Sequence, residues 1–348
     1  MHHLQQKQEQ QAIDEINDIK FRQANGSYPT SFEYPIGLQF ELTSKCNLTC
    51  KHCYNSSGLD HYKDSMTPED WNNLAHQIVT DGGIFQAIIS GGEPLLLGSH
   101  LFDFMDILHA DGTAFILITN GMLVRHSTVQ KLKKYKYFWV QVSIDDLHAN
   151  KHDEFRGVTG SWQKAVDAAF LFSGAGLPLR IAHSITPDNI DDLEMMIDFS
   201  YQLGASSIVC GAIMPSGRAV GSTNLVPTNQ SYLNEIYDIV EKMQIKYAGR
   251  MLVLNSAEHL TDIYKKQAMP NSAAVIRPNG DIRMDCTMPF CIGNVKEVSI
   301  KDIWKQNGLS CWNSKQVKDY ISKLDKYGNH PNHRNHLDPD FKIQSAII

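Results

Sequence analysis

"SKCNLTCKHCY", residues 44–54, follows the apolar run "IGLQFELT" (36–43) and places Cys46, Cys50 and Cys53 at spacings of four and three. Thiolates clustered this way hold zinc or iron–sulfur clusters, and a closed structural site wants four ligands. Only three are supplied, and no fourth cysteine lies near them in the chain. A three-ligand site keeps one coordination position open, as a catalytic metal requires. On the loop alone, zinc completed by His52 and buried structural cysteines both remain open. His52 lies between two proposed ligands with little slack, which weakens the first of these.

Outward from the loop, apolar strand-like runs alternate with helical ones. A helix capped near Thr67, with Pro68 at its first position and Glu69 and Asp70 in its first turn, follows the cysteines. Then come "FQAIIS" (85–90), a helix from about Ser99, "AFILIT" (114–119), a helix near 125–134 and "YFWVQVSI" (137–144). A helix near 161–173, "PLRIAHSI" (178–185), a helix near 190–203 and "SSIVCGAI" (206–213) complete six β–α repeats. Strands apolar along their whole length fit a parallel sheet covered by helices. An open doubly wound sheet and a partial (β/α)6 TIM-like barrel both satisfy that count.

After Pro215 the pattern changes. A helix at about 228–247 and "MLVLN" (251–255) precede "AAVIRPNGDIRMD" (273–285), which reads as a hairpin turning on Pro278-Asn279-Gly280. Short helices near 299–307 and 314–324 finish a small α+β unit. The expected organisation is an N-terminal extension (1–34), the barrel (35–220), a linker helix with the small unit (221–325) and a tail (326–348). His330, His333 and His336 of the tail read as solvated rather than as a metal site.

Net charge is -6 with both signs mixed, so no global field points to nucleic acid or an anionic membrane. No run reaches the roughly 18 apolar residues of a spanning helix. The polar start "MHHLQQKQEQQAIDEINDIK" has no secretory core, so a cytoplasmic protein with reduced thiols is expected. Its seven cysteines then read as ligands or catalytic thiols rather than disulfides.

Four motifs in order, Cys-x3-Cys-x2-Cys, "SGGEP" (90–94), "TNG" (119–121) and "VSID" (142–145), resemble the radical S-adenosylmethionine (radical SAM) superfamily, and the likeness spans most of 36–220. The resemblance implies that Cys46, Cys50 and Cys53 hold three irons of a 4Fe–4S cluster whose fourth iron takes the amino and carboxylate groups of SAM. Gly91 and Gly92 remove side chains so that backbone approaches a ligand closely. The family's pattern gives Glu93 the SAM ammonium and Asn120, ahead of Gly121, the ribose. Ser143 would face the ribose or carboxylate, and Asp145 leaves the strand end on its face. Arg156 of "HDEFRG" is a candidate carboxylate clamp, with a loop salt bridge between Asp145 and Arg156 the equal alternative. Tyr54 and His52 are placed near the adenine, with packing roles equally open. The implied chemistry is one-electron cleavage of SAM to methionine and a 5′-deoxyadenosyl radical that abstracts hydrogen from an unactivated carbon.

The stretch 275–304, with Cys286 and Cys291 ahead of Trp304 and with Cys311 beyond it, resembles the auxiliary-cluster extension called SPASM or twitch. It lacks the cysteine usual before the hairpin and the later series of a full SPASM domain. The expectation is one auxiliary iron–sulfur cluster on Cys286, Cys291 and Cys311, its fourth ligand open between Cys210, another residue and substrate; structural cysteines or zinc are the alternatives. Cys210, in the sixth strand, is a candidate hydrogen-atom donor if it faces inward and a packing residue if it does not. Relatives with this extension mostly modify ribosomally made peptides, giving thioethers, other crosslinks or epimers. The implied partners are a precursor peptide, a flavodoxin or ferredoxin as electron donor, and a separate leader-binding protein. A radical SAM enzyme on a small-molecule precursor and a non-enzymatic zinc protein are the competing functions.

Overall fold

The computed structural model describes residues 2–58, 64–214, 216–220, 222, 224–226, 230–256, 259–286, 288–324 and 341–342. The histidine-bearing tail lies outside them. Six parallel strands, β1 (Gly37–Glu41), β2 (Gln86–Ser90), β3 (Ala114–Thr119), β4 (Tyr137–Ser143), β5 (Leu179–Ile185) and β6 (Ser207–Ala212), stand side by side in chain order. The intervening helices are α2 (Pro68–Thr80), α3 (Ser99–Ala110), α4 (His126–Leu132), the pair α5 (Ala149–Arg156) and α6 (Ser161–Gly174), and α7 (Leu193–Gln202). They follow the N-terminal helix α1 (His2–Ala24). The start of α2 carries the full capping box: Asp70 N donates to Thr67 Oγ1 at 3.1 Å and Thr67 N to Asp70 Oδ2 at 2.8 Å. A cap of this kind contributes about 1 kcal/mol.

Beyond α8 (Gln230–Tyr247), the run at 251–255 becomes β7 (Leu252–Asn255), a seventh parallel strand beside β6. Helix α9 (His259–Ala268) leads to β8 (Ala273–Ile276), which pairs parallel with the free side of β1. The hairpin to β9 (Asp281–Arg283) turns where expected, with Gly280 at φ +88°. Then follow β10 (Phe290–Asn294), α10 (Ile300–Ile303), α11 (Lys315–Ile321) and the short β11 (Phe341–Lys342). One eleven-stranded sheet results, in the order β11-β10-β9-β8-β1-β2-β3-β4-β5-β6-β7. It does not close on itself: β7 and β11 are its edges, so the partial barrel is the architecture and the C-terminal hairpin extends its wall.

The two faces of the wall are set by alternation and carried from strand to strand by register. Phe40 packs edge-on against Trp71 and Phe104 of α2 and α3, with centroids 6.3 and 5.0 Å away, so its row faces the helices. Phe40 pairs with Ile89, Leu117 with Val140, Val142 with Ile181, and Ile181 with Ile208. These side chains are buried in the core. The alternate row, Gln39, Ile88, Ile116 and Trp139, then Gln141, Arg180 and Ser207, lines the barrel interior. Glu41, Ser90 and Ser143 share that inner face at the strand ends.

The N-terminal segment is seated on the C-terminal unit. Gln23 Nε2 donates to Ala268 O of α9 at 3.1 Å, Lys265 pairs with Glu15, and Trp304 Nε1 donates to Phe32 O at 2.8 Å.

Candidate active site

The cysteine loop leaves β1 and is held on three sides by backbone. Below it, Gly92 N donates to Thr43 O at 2.6 Å and Glu93 N to Lys45 O at 2.9 Å. A Cβ at Gly92 would lie 2.0 Å from Lys45 O, and one at Gly91 (φ +136°) 2.6 Å from Thr43 O. The two glycines therefore admit the chain's own cysteine loop. Beside it, Thr49 N and Lys51 N donate to Arg156 O and Phe155 O at the end of α5, at 3.1 and 2.9 Å. Over it folds the segment after β6: Arg218 N donates to Cys53 O at 3.0 Å, Arg218 Nε to Cys50 O at 2.6 Å and Nη1 to Ser57 O at 2.9 Å. Arg218 escaped the sequence reading, since an arginine in a glycine- and serine-rich stretch carries no local signal of what it clamps.

Burial first, then the charges of Glu93, Cys50 and Cys53, push the Cys46 thiol up to about 11. Cys50 is raised as well by burial, against the opposing charge of Arg156. Thiols this reluctant to ionise need a bound cation to become thiolates. Donors already point at the sulfurs: Leu48 N to Cys46 Sγ at 3.4 Å, Asn120 Nδ2 to Cys46 Sγ at 3.8 Å and Arg156 Nη1 to Cys50 Sγ at 3.7 Å. A tetrahedral zinc would draw its sulfurs to about 3.8 Å from one another. The only described His/Cys/Asp/Glu trio with ligand atoms mutually within 4.8 Å is Asp146, His148 and Asp192, so the three thiols are spread more widely than one zinc ion asks. His52 does not complete a fourth position: its ring stacks flat on Phe155, centroids 4.5 Å apart, and burial lowers its pKa to about 4.

Glu93 is fully buried and joins two motif loops. Its Oε1 accepts from Leu95 N (3.1 Å) and Thr119 Oγ1 (2.8 Å), and Oε2 from Asn120 N (2.8 Å). Burial raises its pKa to about 7 despite these bonds. Asn120 turns toward the cysteine loop, donating to Asn47 Oδ1 at 2.8 Å. Gly121 takes φ +82° where a Cβ would meet Ala165 Cα at 3.0 Å.

Asp145 and Arg156 form a buried ion pair, Nε to Oδ2 at 2.6 Å, with side chains 1% and 9% exposed. Burial alone would raise the Asp145 carboxyl, but the Arg156 charge holds it well below the usual carboxylate range. Asp145 also accepts from Ser184 N at 2.9 Å. Two of the three guanidinium nitrogens are engaged, so the salt bridge expected as the alternative to a carboxylate clamp is formed. Ser143 does face the interior. Tyr54 points down into it rather than along the loop: its hydroxyl donates to Glu41 Oε1 at 3.0 Å and accepts from Gln39 Nε2 at 3.4 Å.

Cys210 pairs in register with His183 and alternates with Ile208 and Ala212 on the helix-facing row. It is fully buried, and burial alone pushes its thiol up to about 12. It is a packing residue, neither a hydrogen donor to the interior nor a ligand near the C-terminal cysteines. Among those, burial raises Cys286 and Cys311 to about 12, and the Asp285 charge reaches both. Cys291 stands opposite Arg283 on β10, on the interior row. Asn271 Nδ2 donates to Cys311 Sγ at 3.2 Å, and Lys266 pairs with Asp285 at 2.7 Å.

Residues 40–200 match the Radical SAM superfamily and residues 268–326 the iron–sulfur cluster-binding SPASM domain. The chain therefore carries a Radical SAM domain followed by a SPASM-type extension. The family's cofactors are a 4Fe–4S cluster with SAM, and the extension's is an auxiliary iron–sulfur cluster. The chain is 26% identical over 311 residues to the antilisterial bacteriocin subtilosin biosynthesis protein AlbA of Bacillus subtilis, covering 86% of this chain and 66% of AlbA. It is 24% identical over 291 residues to an AdoMet-dependent heme synthase of Methanosarcina barkeri, covering 77% and 81%. The fold is that of Streptococcus suis SuiB bound to S-adenosylmethionine, with TM-score 0.66 and 17% identity over 91% of this chain and 78% of SuiB. Among the described residues no helix is long and apolar enough to cross a membrane.

Proposed function

We propose that this radical SAM enzyme modifies a ribosomally made peptide, with Cys46, Cys50 and Cys53 holding the 4Fe–4S cluster and Cys286, Cys291 and Cys311 contributing to the auxiliary one. When bound, the cluster and SAM supply one-electron cleavage of SAM and hydrogen-atom abstraction. The chain's own residues do the rest. The glycine pair, the end of α5 and Arg218 fix the loop; Glu93 locks "GGEP" to "TNG" and keeps lone pairs for the SAM ammonium; Ser143 and Asn120 line the approach for its ribose. Gln39, Glu41 and Tyr54 form a hydrogen-bonded floor inside the barrel that limits where a substrate carbon can lie. A flavodoxin or ferredoxin supplies the electron, and a separate protein binds the leader.

One observation carries the peptide reading: relatives named for peptide maturation, AlbA, the sporulation killing factor maturation protein SkfB and PqqA peptide cyclases, match over most of the chain. The heme synthases match at similar identity, which supports a small-molecule precursor as the second reading. The deciding experiment incubates anaerobically reconstituted protein, SAM and reductant with a short peptide encoded beside it. A SAM-dependent mass change in the peptide is expected. Turnover of a tetrapyrrole precursor with an unaltered peptide would favour the second reading.

A further inference from the structure

Two guanidinium groups at the cysteine loop converge on one cysteine. Arg218 holds the carbonyl of Cys50, and Arg156 directs Nη1 at its sulfur, 3.7 Å away. The donors to Cys46 are neutral by contrast, the Leu48 amide and the Asn120 carboxamide. Arg156 is fixed from behind by Asp145 at 2.6 Å, and Asp145 is itself held by the Ser184 amide. The Arg156 cation is therefore answered by one carboxylate and aimed at one thiolate.

We propose that Arg156 is a positioning residue for electron transfer: its charged hydrogen bond to Cys50 raises the reduction potential of the cluster, and Asp145 moderates that effect. This rests on the reading of Cys46, Cys50 and Cys53 as cluster ligands. Hydrogen bonds and charge next to cluster sulfurs are among the levers that set the potential. The added electron makes the cluster more negative, so a cation at a sulfur stabilises the reduced form. Within a dry pocket that influence is poorly screened. Removing the cation and removing its counter-ion must then move the potential in opposite directions, which no general loosening of the loop would do.

The test is an anaerobic redox titration followed by electron paramagnetic resonance, reading the signal that changes when SAM is added. Parent, Arg156→Gln, Arg156→Lys and Asp145→Asn proteins are compared, with iron counted in each. Arg156→Gln is expected to disfavour reduction about tenfold, a midpoint roughly 59 mV more negative for one electron. Asp145→Asn is expected to shift it the other way, and Arg156→Lys to stay near the parent. SAM affinity in Arg156→Gln should stay within about threefold. Midpoints that stay put, or Gln and Asn variants that move together, overturn the proposal, as does a collapse of SAM binding with an unmoved midpoint. If Arg156→Gln fails to hold iron, the Asp145→Asn and Arg156→Lys pair decides in the same way. A parent protein whose signal never responds to SAM refutes the cluster reading itself, a different failure from a responsive signal with an insensitive midpoint.

Discussion

Single residues at this site answer to buried charge. Glu93 has three donors on its carboxylate and no exposure, so Glu93→Gln places an amide NH2 against the donors that now bond it. A buried donor left unsatisfied costs about 1–3 kcal/mol. Chemical denaturation should show a loss of that size, and SAM binding should weaken with it. The sign of its pH dependence follows from a folded pKa of about 7 above the ordinary 4.5. Protonated Glu93 is favoured in the folded chain, so its contribution is fullest below about pH 4.5 and is lost as pH rises to about 7. In cluster-free protein the parent should lose stability across that window, and the Gln variant should lose less. Cys210→Ala is expected to cost about 1 kcal/mol of packing and to leave the product of the reaction unchanged, read by mass spectrometry of the modified substrate. An uncoupled or quenched product in that variant would return Cys210 to the chemistry.

At the level of elements, the cysteine loop is a backbone structure more than a side-chain one. Gly92→Ala drives a Cβ into Lys45 O, and backbone there cannot swing aside as a side-chain tip could. Overpacking of this kind costs about 1–3 kcal/mol. Iron bound by the variant should fall while its helical circular dichroism stays near parental, because the strain is confined to two loops. Arg218→Ala leaves the Cys50 and Ser57 carbonyls without their donor. Faster loss of iron to a chelator is expected. Helix α5 shows how an element can be functional and poorly marked. "ANKHDEFR" is polar nearly throughout and presents no apolar stripe, so "HDEFRG" reads as loop, yet its C-terminal carbonyls anchor the cysteine backbone.

For the whole molecule, the decisive feature is one sheet shared by both cysteine groups. Strand β1 delivers the cysteine loop on one side of its partners and pairs with β8 on the other, and β9 and β10 then carry Arg283 and Cys291 along the same interior row. Cys291→Ala is expected to remove about half the iron of the reconstituted protein while leaving substrate-independent cleavage of SAM measurable. Unchanged iron would mean that the C-terminal cysteines pack and do not ligate.

What the chain's order of residues determined alone is the local chemistry: three thiols four and three apart, glycine where backbones must touch, apolar runs with turns between them, and a proline–asparagine–glycine hairpin. Those features depend on neighbours within a few positions, so spacing and periodicity report them. Facing and pairing were decided only in three dimensions. A strand's alternation is blind to which row meets the helices, and only register with Phe40's row turns Cys210 outward. Arg156 reads equally as a clamp or a salt bridge until the fold lays Asp145, 11 residues away, against its Nε and the Cys50 sulfur, 106 residues away, against its Nη1. Contacts across such separations are bought by the burial of the whole sheet, and no short stretch of sequence contains them.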